Sequence, residues 1–243
     1  MDVYSIKKDK IKSIKLNPFK KEREIQNLIE NNTNELFSVD FICSEFTIGE
    51  FRIDSLCFNH ETNSFTIIEY KKGSSYSVID QGYSYLSKML NNKSDFILEY
   101  NERKNKNLKR DEIDWSQSKI IFVSTSFNSY QKNSVNFKDI PFELWEIRRF
   151  NNNTIVLNQH QSKSSESIEK VIDKDNSLIK KVNREVKVYS EDFHKNERKS
   201  TTQEVKDLYE IIKDRILNIG DVEIRPRKKY IGFINKTNFV DIK

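Results

Sequence analysis

Residues 51–56, Phe-Arg-Ile-Asp-Ser-Leu, and residues 65–71, Phe-Thr-Ile-Ile-Glu-Tyr-Lys, decide the fold of this chain. Both runs are rich in β-branched and aromatic residues and are bounded by polar turn formers, which predicts two strands. Between them lies the polar stretch Asn-His-Glu-Thr-Asn-Ser (59–64), whose composition predicts a hairpin loop. We therefore expect the two strands to form an antiparallel pair.

The register of this hairpin brings charged side chains together. We predict that the loop turns between Glu61 and Thr62, which places Asp54 directly opposite Glu69. Lys71 lies two residues further along, so it shares the face of Glu69. Two carboxylates and one ammonium group then converge on one patch, which can hold a divalent cation between hard oxygen ligands.

A helix is predicted after the hairpin, over about residues 77–91. Ser77, followed three residues later by Asp80, is typical of a capping box that opens a helix. Gln81 and Tyr85 are spaced i,i+4 and therefore share one helical face. This helix is expected to present an amide and a phenol side by side.

A helix and a strand are also predicted before the hairpin. The helix covers about residues 19–31, and Glu22 lies one turn before Gln26 in it. Three of its apolar residues recur at core-facing helical spacing: Ile25, Leu28 and Ile29. The apolar run 41–46 then gives the first strand of the sheet.

Together these segments resemble the PD-(D/E)xK nuclease superfamily, whose core is such a hairpin flanked by helices. Asp54, a spacer of fourteen residues and then Glu69-Tyr70-Lys71 match its motif. Ile53 stands where many members have a proline. Gln81 and Tyr85 resemble the Gln-xxx-Tyr motif that RecB-like members carry on the helix after this hairpin.

The resemblance implies a metal site for Mg²⁺ or Mn²⁺. Asp54 and Glu69 would bind one or two ions, with the carbonyl of Tyr70 as a further ligand. Members often carry an acid of the first helix near the metals; Glu22 matches that place best, and Glu24 is the alternative. An acid there also suits the helix dipole, so a solvated helix start stays open. Magnesium keeps several of its waters, which is consistent with so sparse a ligand set.

The resemblance also implies roles for the neighbouring side chains. Lys71 would orient or deprotonate the attacking water and contact the phosphate, and Gln81 would position the water or the strand. Tyr85 would pack beside them or contact the nucleic-acid backbone. Further candidates for phosphate contacts, which would make binding salt-sensitive, are Arg52, Lys72, Lys88 and Lys93.

Composition sets broader limits. The chain has 243 residues, of which 36% are hydrophobic and 33% charged, so it can form one or two domains with much surface or linker. A net charge of +5 permits nucleic-acid binding without requiring it. Cys43 and Cys57 fall in strand-like runs and are expected to be small buried residues. No signal peptide and no run of about 20 apolar residues is present, so we expect a cytoplasmic protein without membrane contact.

The order of predicted elements indicates an α/β fold. We expect a restriction-endonuclease-like core over residues 1–158, with a mixed central sheet flanked by helices, and with a basic arm over residues 1–15. The continuous apolar run 119–124 is typical of a buried, parallel strand. Residues 159–202, rich in Ser, Lys, Glu and Asn, are predicted to be a polar linker with one or two marginal helical stretches.

Residues 203–243 are predicted to form a small C-terminal α+β domain. They resemble a domain of a bacterial branch of the same superfamily that often bears the label "predicted transport protein". The resemblance covers about residues 19–158 well and this part loosely. The family's final strand or strands have no counterpart in it, so whether the C-terminal domain is complete stays open. Its partner stays open.

Two functions from different classes follow. The first is a metal-dependent deoxyribonuclease, more an endonuclease than an exonuclease, in repair, restriction or anti-phage defence. The second is a catalytically inactive module on the same fold that binds nucleic acid or protein. Clustered carboxylates at Asp54 and Glu69 favour the first, since a binding module has no need of them where phosphate would lie. The resemblance also implies a possible homodimer.

Overall fold

The computed structural model divides by its contacts into two units, Met1–Val186 and Lys187–Lys243. Within them the structure describes six stretches of chain, and each unit is treated separately below. These stretches are residues 2–71, 77–162, 164–171, 177–197, 201–235 and 237–243.

The first unit is built on a six-stranded mixed sheet, as predicted. It is preceded by a small antiparallel hairpin of β1 (Tyr4–Lys7) and β2 (Lys10–Ser13), which occupies the predicted basic arm. The six strands lie in the sheet in chain order: β3 (Asp40–Ile48), β4 (Phe51–Asn59), β5 (Ser64–Lys71), β6 (Lys119–Ser124), β7 (Phe142–Arg149) and β8 (Ile155–His160). Strands β5, β6 and β7 are mutually parallel, and the remaining neighbours are antiparallel.

Helices cover both faces of this sheet, because its central strands are apolar on both sides. On one face lie α1 (Glu22–Glu30) and α2 (Thr33–Phe37). On the other lie α3 (Val78–Asn91), α4 (Lys93–Lys104), α5 (Ser129–Ser134) and α6 (Ser177–Glu185).

Strand β6 shows how the two cores divide. Ile120 and Phe122 face the α3 side, whereas Ile121 and Val123 face the α1 side, and all four are fully buried. The period of two in the pleat explains this alternation. The prediction of a buried parallel strand is confirmed.

The first part of the predicted linker, residues 159–202, packs into the first unit instead of forming a solvated connection. Ile179 and Val182 of α6 are buried in the core on the α3 side, together with Ile168 and Val186. Ile179 and Val182 are three residues apart and therefore share one face of α6, which packs against α3. Because a polar composition does not show this spacing, composition alone does not reveal the buried helix.

The second unit is a small α+β unit, as predicted. Helix α7 (Gln203–Leu217) packs on a three-stranded antiparallel sheet of β9 (Glu223–Pro226), β10 (Ile231–Asn235) and β11 (Thr237–Ile242). The core contains Tyr209 and Phe233. None of the helices in the described part of the chain has the length and apolar character needed to cross a membrane.

Candidate active site

The β4–β5 hairpin has the predicted register. Its ladder runs from Asn59 opposite Ser64 to Ser55 opposite Ile68. One further step along the same ladder sets Asp54 opposite Glu69. The main-chain amide of Tyr70 donates to Oδ2 of Asp54 over 3.0 Å, which fixes the Asp54 side chain against β5.

Glu69 is the most constrained residue of the site. It is 2% exposed, and it projects from β5 toward α3. Three donors reach the same carboxylate oxygen, Oε1: Lys71 Nζ at 2.6 Å, Gln81 Nε2 at 3.0 Å and the Tyr85 hydroxyl at 3.1 Å. The residues that the sequence analysis grouped therefore lie together, although their chemical roles stay predictions.

The second oxygen of Glu69 has a different environment. Oε2 is buried, and among the described residues nothing donates a hydrogen bond to it. A buried carboxylate oxygen without a partner is costly, because it has lost water and gained nothing in return. Such an atom therefore calls for an explanation.

The electrostatics of the pair point the same way. Burial raises the pKa of Glu69 to about 7, and the charge of Asp54 adds to this, while Lys71 opposes it. Burial also raises the pKa of Asp54, although the Tyr70 amide and Lys71 lower it in part. Both carboxyl groups thus disfavour the anionic state, Asp54 through burial and Glu69 through burial and the charge of Asp54, and a cation beside them would offset this.

Helix α3 delivers the two polar side chains that meet Glu69. The Ser77 hydroxyl accepts from the amide of Asp80 at 3.2 Å, so the predicted cap at the helix start is present. Gln81 and Tyr85 follow one turn apart, and Gln81 Nε2 lies 3.3 Å from the Tyr85 hydroxyl. That hydroxyl also lies 3.1 Å from the carbonyl of Arg52 and so reaches both strands of the hairpin.

The acids of α1 occupy separate positions. Glu22 is exposed on the first turn, and Glu24 pairs with Arg149 at 3.1 Å. Gln26, one turn after Glu22, donates to the carbonyl of Asp54 at 3.2 Å. Glu22 shares a helical face with Gln26. Its metal role stays a prediction.

Glu30 is an acid beside the hairpin that sequence analysis missed. Its Oε1 accepts from Gln26 at 2.8 Å, from Ser44 at 2.8 Å and from Ser55 at 2.7 Å. The Ser55 hydroxyl is also 3.1 Å from that of Tyr70. This network links α1 to β3 and β4 beside the site. The sequence feature that could have indicated a buried polar partner here is the pair of serines, Ser44 and Ser55, which face each other on these two strands.

The candidate phosphate-binding residues differ in their surroundings. Arg52 is exposed on β4, and Lys88 lies over the ring of Phe51 at 5.1 Å. Lys93 pairs with Glu185 at 2.6 Å, which reduces its value for a phosphate. Lys72 lies outside the described residues.

The donor set is chemically compatible with a hard divalent cation. Asp54 and Glu69 follow the last ladder pair of the hairpin, and the charge of Asp54 acts on Glu69. Oε2 of Glu69 is buried and has no hydrogen-bond donor among the described residues. No group of three or more His, Cys, Asp and Glu side chains arranged to hold a metal occurs among the described residues. An ion here would therefore rely on the Asp54 and Glu69 pair, a main-chain carbonyl and water, which Mg²⁺ tolerates better than Zn²⁺ does.

Sequence comparison places the chain in a family. A protein of Haemophilus influenzae (strain ATCC 51907 / DSM 11121 / KW20 / Rd), described as uncharacterized, is 45% identical over 245 residues, covering 100% of this chain and 80% of that protein. The chain belongs to the same family as that protein. Residues 191–243 also match a domain of unknown function, DUF5655, which includes the whole of the predicted C-terminal domain.

Comparison with solved structures gives weaker similarities. A repair endonuclease from Pyrococcus abyssi is 18% identical, with 49% of this chain and 44% of that chain covered and a TM-score of 0.27. An EndoMS–dsDNA2 complex is 18% identical, with 54% and 47% covered and a TM-score of 0.28. The matched part thus spans less than half of each of those chains. At such low TM-scores these similarities carry no argument about the site.

Proposed function

We propose that this protein is a metal-dependent nuclease that hydrolyses DNA phosphodiester bonds at Asp54 and Glu69. The observation that carries the proposal is the buried Oε2 of Glu69, to which no residue in the described part of the chain donates a hydrogen bond. Asp54 and Glu69 directly follow the last pair of the hairpin ladder, Ser55 and Ile68, which places the two acids opposite each other. The resemblance of the D…ExK and Gln-xxx-Tyr motifs to the PD-(D/E)xK superfamily supports the same conclusion. DNA is the substrate that this resemblance implies.

Each side chain of the site has a task in such a reaction. Asp54 and Glu69 would hold one or two Mg²⁺ or Mn²⁺ ions, with the Tyr70 carbonyl as a third ligand and Glu22 at the margin. The bound ion would supply Lewis acidity, lowering the pKa of water and stabilising charge on the phosphate. Lys71, already 2.6 Å from Glu69, would contact the scissile phosphate and orient the attacking water.

Gln81 and Tyr85 act on the geometry of Glu69. Gln81 donates to Oε1 from one side and Tyr85 from another, so both hold the carboxylate in one orientation. With Oε1 engaged by three donors, Oε2 is the oxygen left for a cation. Gln81 would in addition position the water or the DNA strand.

One observation favours the alternative, an inactive module that binds nucleic acid or protein. Lys71 and Glu69 form a close ion pair, with side chains 20% and 3% exposed, so part of the carboxylate charge is balanced without a metal. A pair kept for structure would be left as it is in every state of the protein. A nuclease would have to loosen it when substrate arrives.

Cleavage assays separate the two functions. Plasmid, linear duplex and single-stranded DNA are incubated with Mg²⁺, Mn²⁺ or EDTA, using wild type, Asp54→Ala and Lys71→Ala. Asp40→Asn is the matched control, because it removes a carboxylate from the same sheet at the position where Asp40 pairs with His60. Thermal unfolding confirms that each variant is folded.

The nuclease predicts metal-dependent cleavage that is lost in both site variants and retained in Asp40→Asn. The preferred substrate would then narrow the choice between repair, restriction and anti-phage defence. Calorimetric titration of Mn²⁺ adds a second readout, in which Asp54→Ala loses binding. Absence of both cleavage and Mn²⁺ binding in the folded wild type would reject the nuclease in favour of the inactive module.

A further inference from the structure

The hairpin of β1 and β2 is a structural outlier in the first unit. Every residue of both strands is exposed, whereas β5 and β6 in the middle of the central sheet are almost wholly buried. Its two-residue turn has left-handed backbone at Lys8 (φ 48°) and Asp9 (φ 60°), the pattern of a type I′ turn. A two-stranded hairpin without a core is marginally stable in water.

The two faces of this hairpin differ in chemistry. Ile6 pairs with Ile11, and Tyr4 pairs with Ser13, so one face is mainly apolar. The other face and the turn are basic. Five lysines lie between residues 7 and 15, against one aspartate there: Lys7, Lys8, Lys10, Lys12 and Lys15.

The positions of the lysines destabilise the isolated hairpin. Lys7 and Lys10 lie directly opposite each other in the ladder, and like charges in that position are destabilising. In the described part of the chain, none of the five hairpin lysines forms a salt bridge with a carboxylate. A polyanion is the ligand that would remove this repulsion.

The hairpin is attached at the same edge of the sheet as the candidate active site. Lys71, the last residue of β5, is level with Ser124 of β6 and with Glu146 of β7. The antiparallel bridge between Leu16 and Phe150 lies just past the end of β7, four residues beyond Glu146. At about 3.3 Å per residue, this is about 13 Å beyond the level of Lys71.

The segment between the hairpin and α1 pairs with the end of β7 on the side where β6 has already ended. The amide of Asn17 donates to the carbonyl of Arg149 at 2.8 Å, and the amide of Asn151 donates to the carbonyl of Lys15 at 3.0 Å. Since β8 pairs with the other side of β7, these residues lie in line with β6, past its end. Measured across the sheet, the base of the hairpin is therefore about one strand spacing, ~4.8 Å, from β5 extended past its end.

We propose that the β1–β2 hairpin is an arm that binds the phosphate backbone of double-stranded DNA and holds the duplex at the candidate site. This inference rests on the nuclease function proposed above and specifies its substrate as duplex DNA. A two-stranded ribbon has the width to enter the major groove of a duplex. Lysines on one face of the ribbon and at its tip would then reach the flanking phosphates.

Binding measured without cleavage tests the arm. Fluorescence anisotropy is recorded in EDTA with a labelled duplex of about two helical turns, ~20 bp, and with a single strand of the same sequence. The variant Lys7→Gln/Lys10→Gln/Lys12→Gln removes three charges from the arm. The control Lys104→Gln/Lys106→Gln/Lys109→Gln removes three charges from the end of α4 and the loop after it.

The arm variant is expected to bind the duplex at least tenfold more weakly. Its plot of log affinity against log salt, between about 50 and 200 mM, should lose about 2.7 in slope, since each phosphate contact contributes about 0.9. The control variant should change the slope by less than about one such contact, and single-strand binding should fall less than duplex binding. Hydrogen exchange at Ser5 and Lys12, whose amides point into the ladder of the hairpin, should slow when the duplex is bound.

Several results would overturn the arm. Equal duplex affinity of wild type and arm variant would do so, as would an equal loss in the control, which would mean a general charge effect. Concentration-dependent dimerisation abolished by Ile6→Ser/Ile11→Ser, with DNA binding unaffected by the lysine changes, would assign the hairpin to a second copy of the chain. Because EDTA removes cleavage from the assay, failure of the arm and failure of the nuclease remain distinguishable.

Discussion

The Tyr85 hydroxyl lies 3.1 Å from Oε1 of Glu69 and also 3.1 Å from the main-chain carbonyl of Arg52. A hydroxyl has one proton to donate, so these two acceptors share it. Tyr85 thereby links α3 to both strands of the hairpin. We therefore predict that Tyr85 acts through Glu69, as a positioning residue.

Tyr85→Phe is expected to weaken Mn²⁺ binding or DNA cleavage by about 10- to 100-fold, as is usual when a partner of a metal-binding side chain is removed. The matched control is Tyr83→Phe on the same helix, whose hydroxyl bonds Asn183 in the core at 3.1 Å. The control should lower the unfolding temperature and leave Mn²⁺ affinity unchanged. Calorimetric titration measures the Mn²⁺ affinity of the two variants, and thermal unfolding measures their stability. Similar Mn²⁺ affinities for the two variants would contradict the positioning role.

The stability of the metal-free protein should fall as the pH rises from about 4.5 to about 7. In this window the folded protein keeps the Glu69 proton, because burial and Asp54 raise its pKa to about 7, while the unfolded chain releases it. The folded state therefore binds more protons, and its stability decreases with pH. The raised pKa of Glu69 corresponds to at most about 3–4 kcal/mol of stability.

Urea unfolding in EDTA at several pH values checks this dependence. Glu69→Gln serves as the reference, since it has no proton to lose and should show a flatter profile across the window. Addition of Mg²⁺ above pH 7 should restore stability to wild type and leave Glu69→Gln unaffected. A wild-type profile parallel to that of Glu69→Gln would show that Glu69 titrates normally.

Gly82 marks the closest packing of α3 on the sheet. A Cβ atom there would lie 2.5 Å from the ring of Phe142, which is buried against Tyr83 and Phe122. Gly82→Ala is expected to destabilise the protein by up to about 2 kcal/mol, because an overpacking cost of about 1–3 kcal/mol exceeds the gain in helix propensity of about 1 kcal/mol. Ser84→Ala on the same helix should be neutral or stabilising. Urea unfolding measures the stability of the two variants. In the Gly82→Ala background, Phe142→Leu should relieve the clash. A Gly82→Ala variant more stable than wild type would show that the Phe142 ring moves freely.

The parts of the fold that sequence analysis predicted depend on local patterns. The hairpin register follows from a polar loop between two apolar strands, and the α3 cap follows from Ser77 and Asp80, three residues apart. The meeting of Gln81 with Glu69 follows once helix and hairpin are joined by a short connection. Each of these sequence features involves residues within one helix or strand or between two consecutive ones.

The parts that were missed depend on contacts between distant segments. Glu30 is half-buried beside Ser44 and Ser55 only because α1 lies across the strands, and nothing in its own neighbourhood indicates that. The helix within the predicted linker is likewise buried by α3, about 100 residues earlier, as the bond from Tyr83 to Asn183 shows. Tertiary packing of an amphipathic face decides such helices more than propensity does.

Helix α6 provides a direct test of where the first unit ends. Val182 is fully buried, whereas Leu178, one turn earlier on the same helix, is 36% exposed. Val182→Ala is expected to destabilise the first unit by about 1–3 kcal/mol through loss of buried methyl groups, and Leu178→Ala by less than about 0.5. Hydrogen exchange in α3 reports the effect, because the two helices pack together. Unchanged protection of α3 in Val182→Ala would mean that residues 177–185 act as a linker in solution, as their composition predicts.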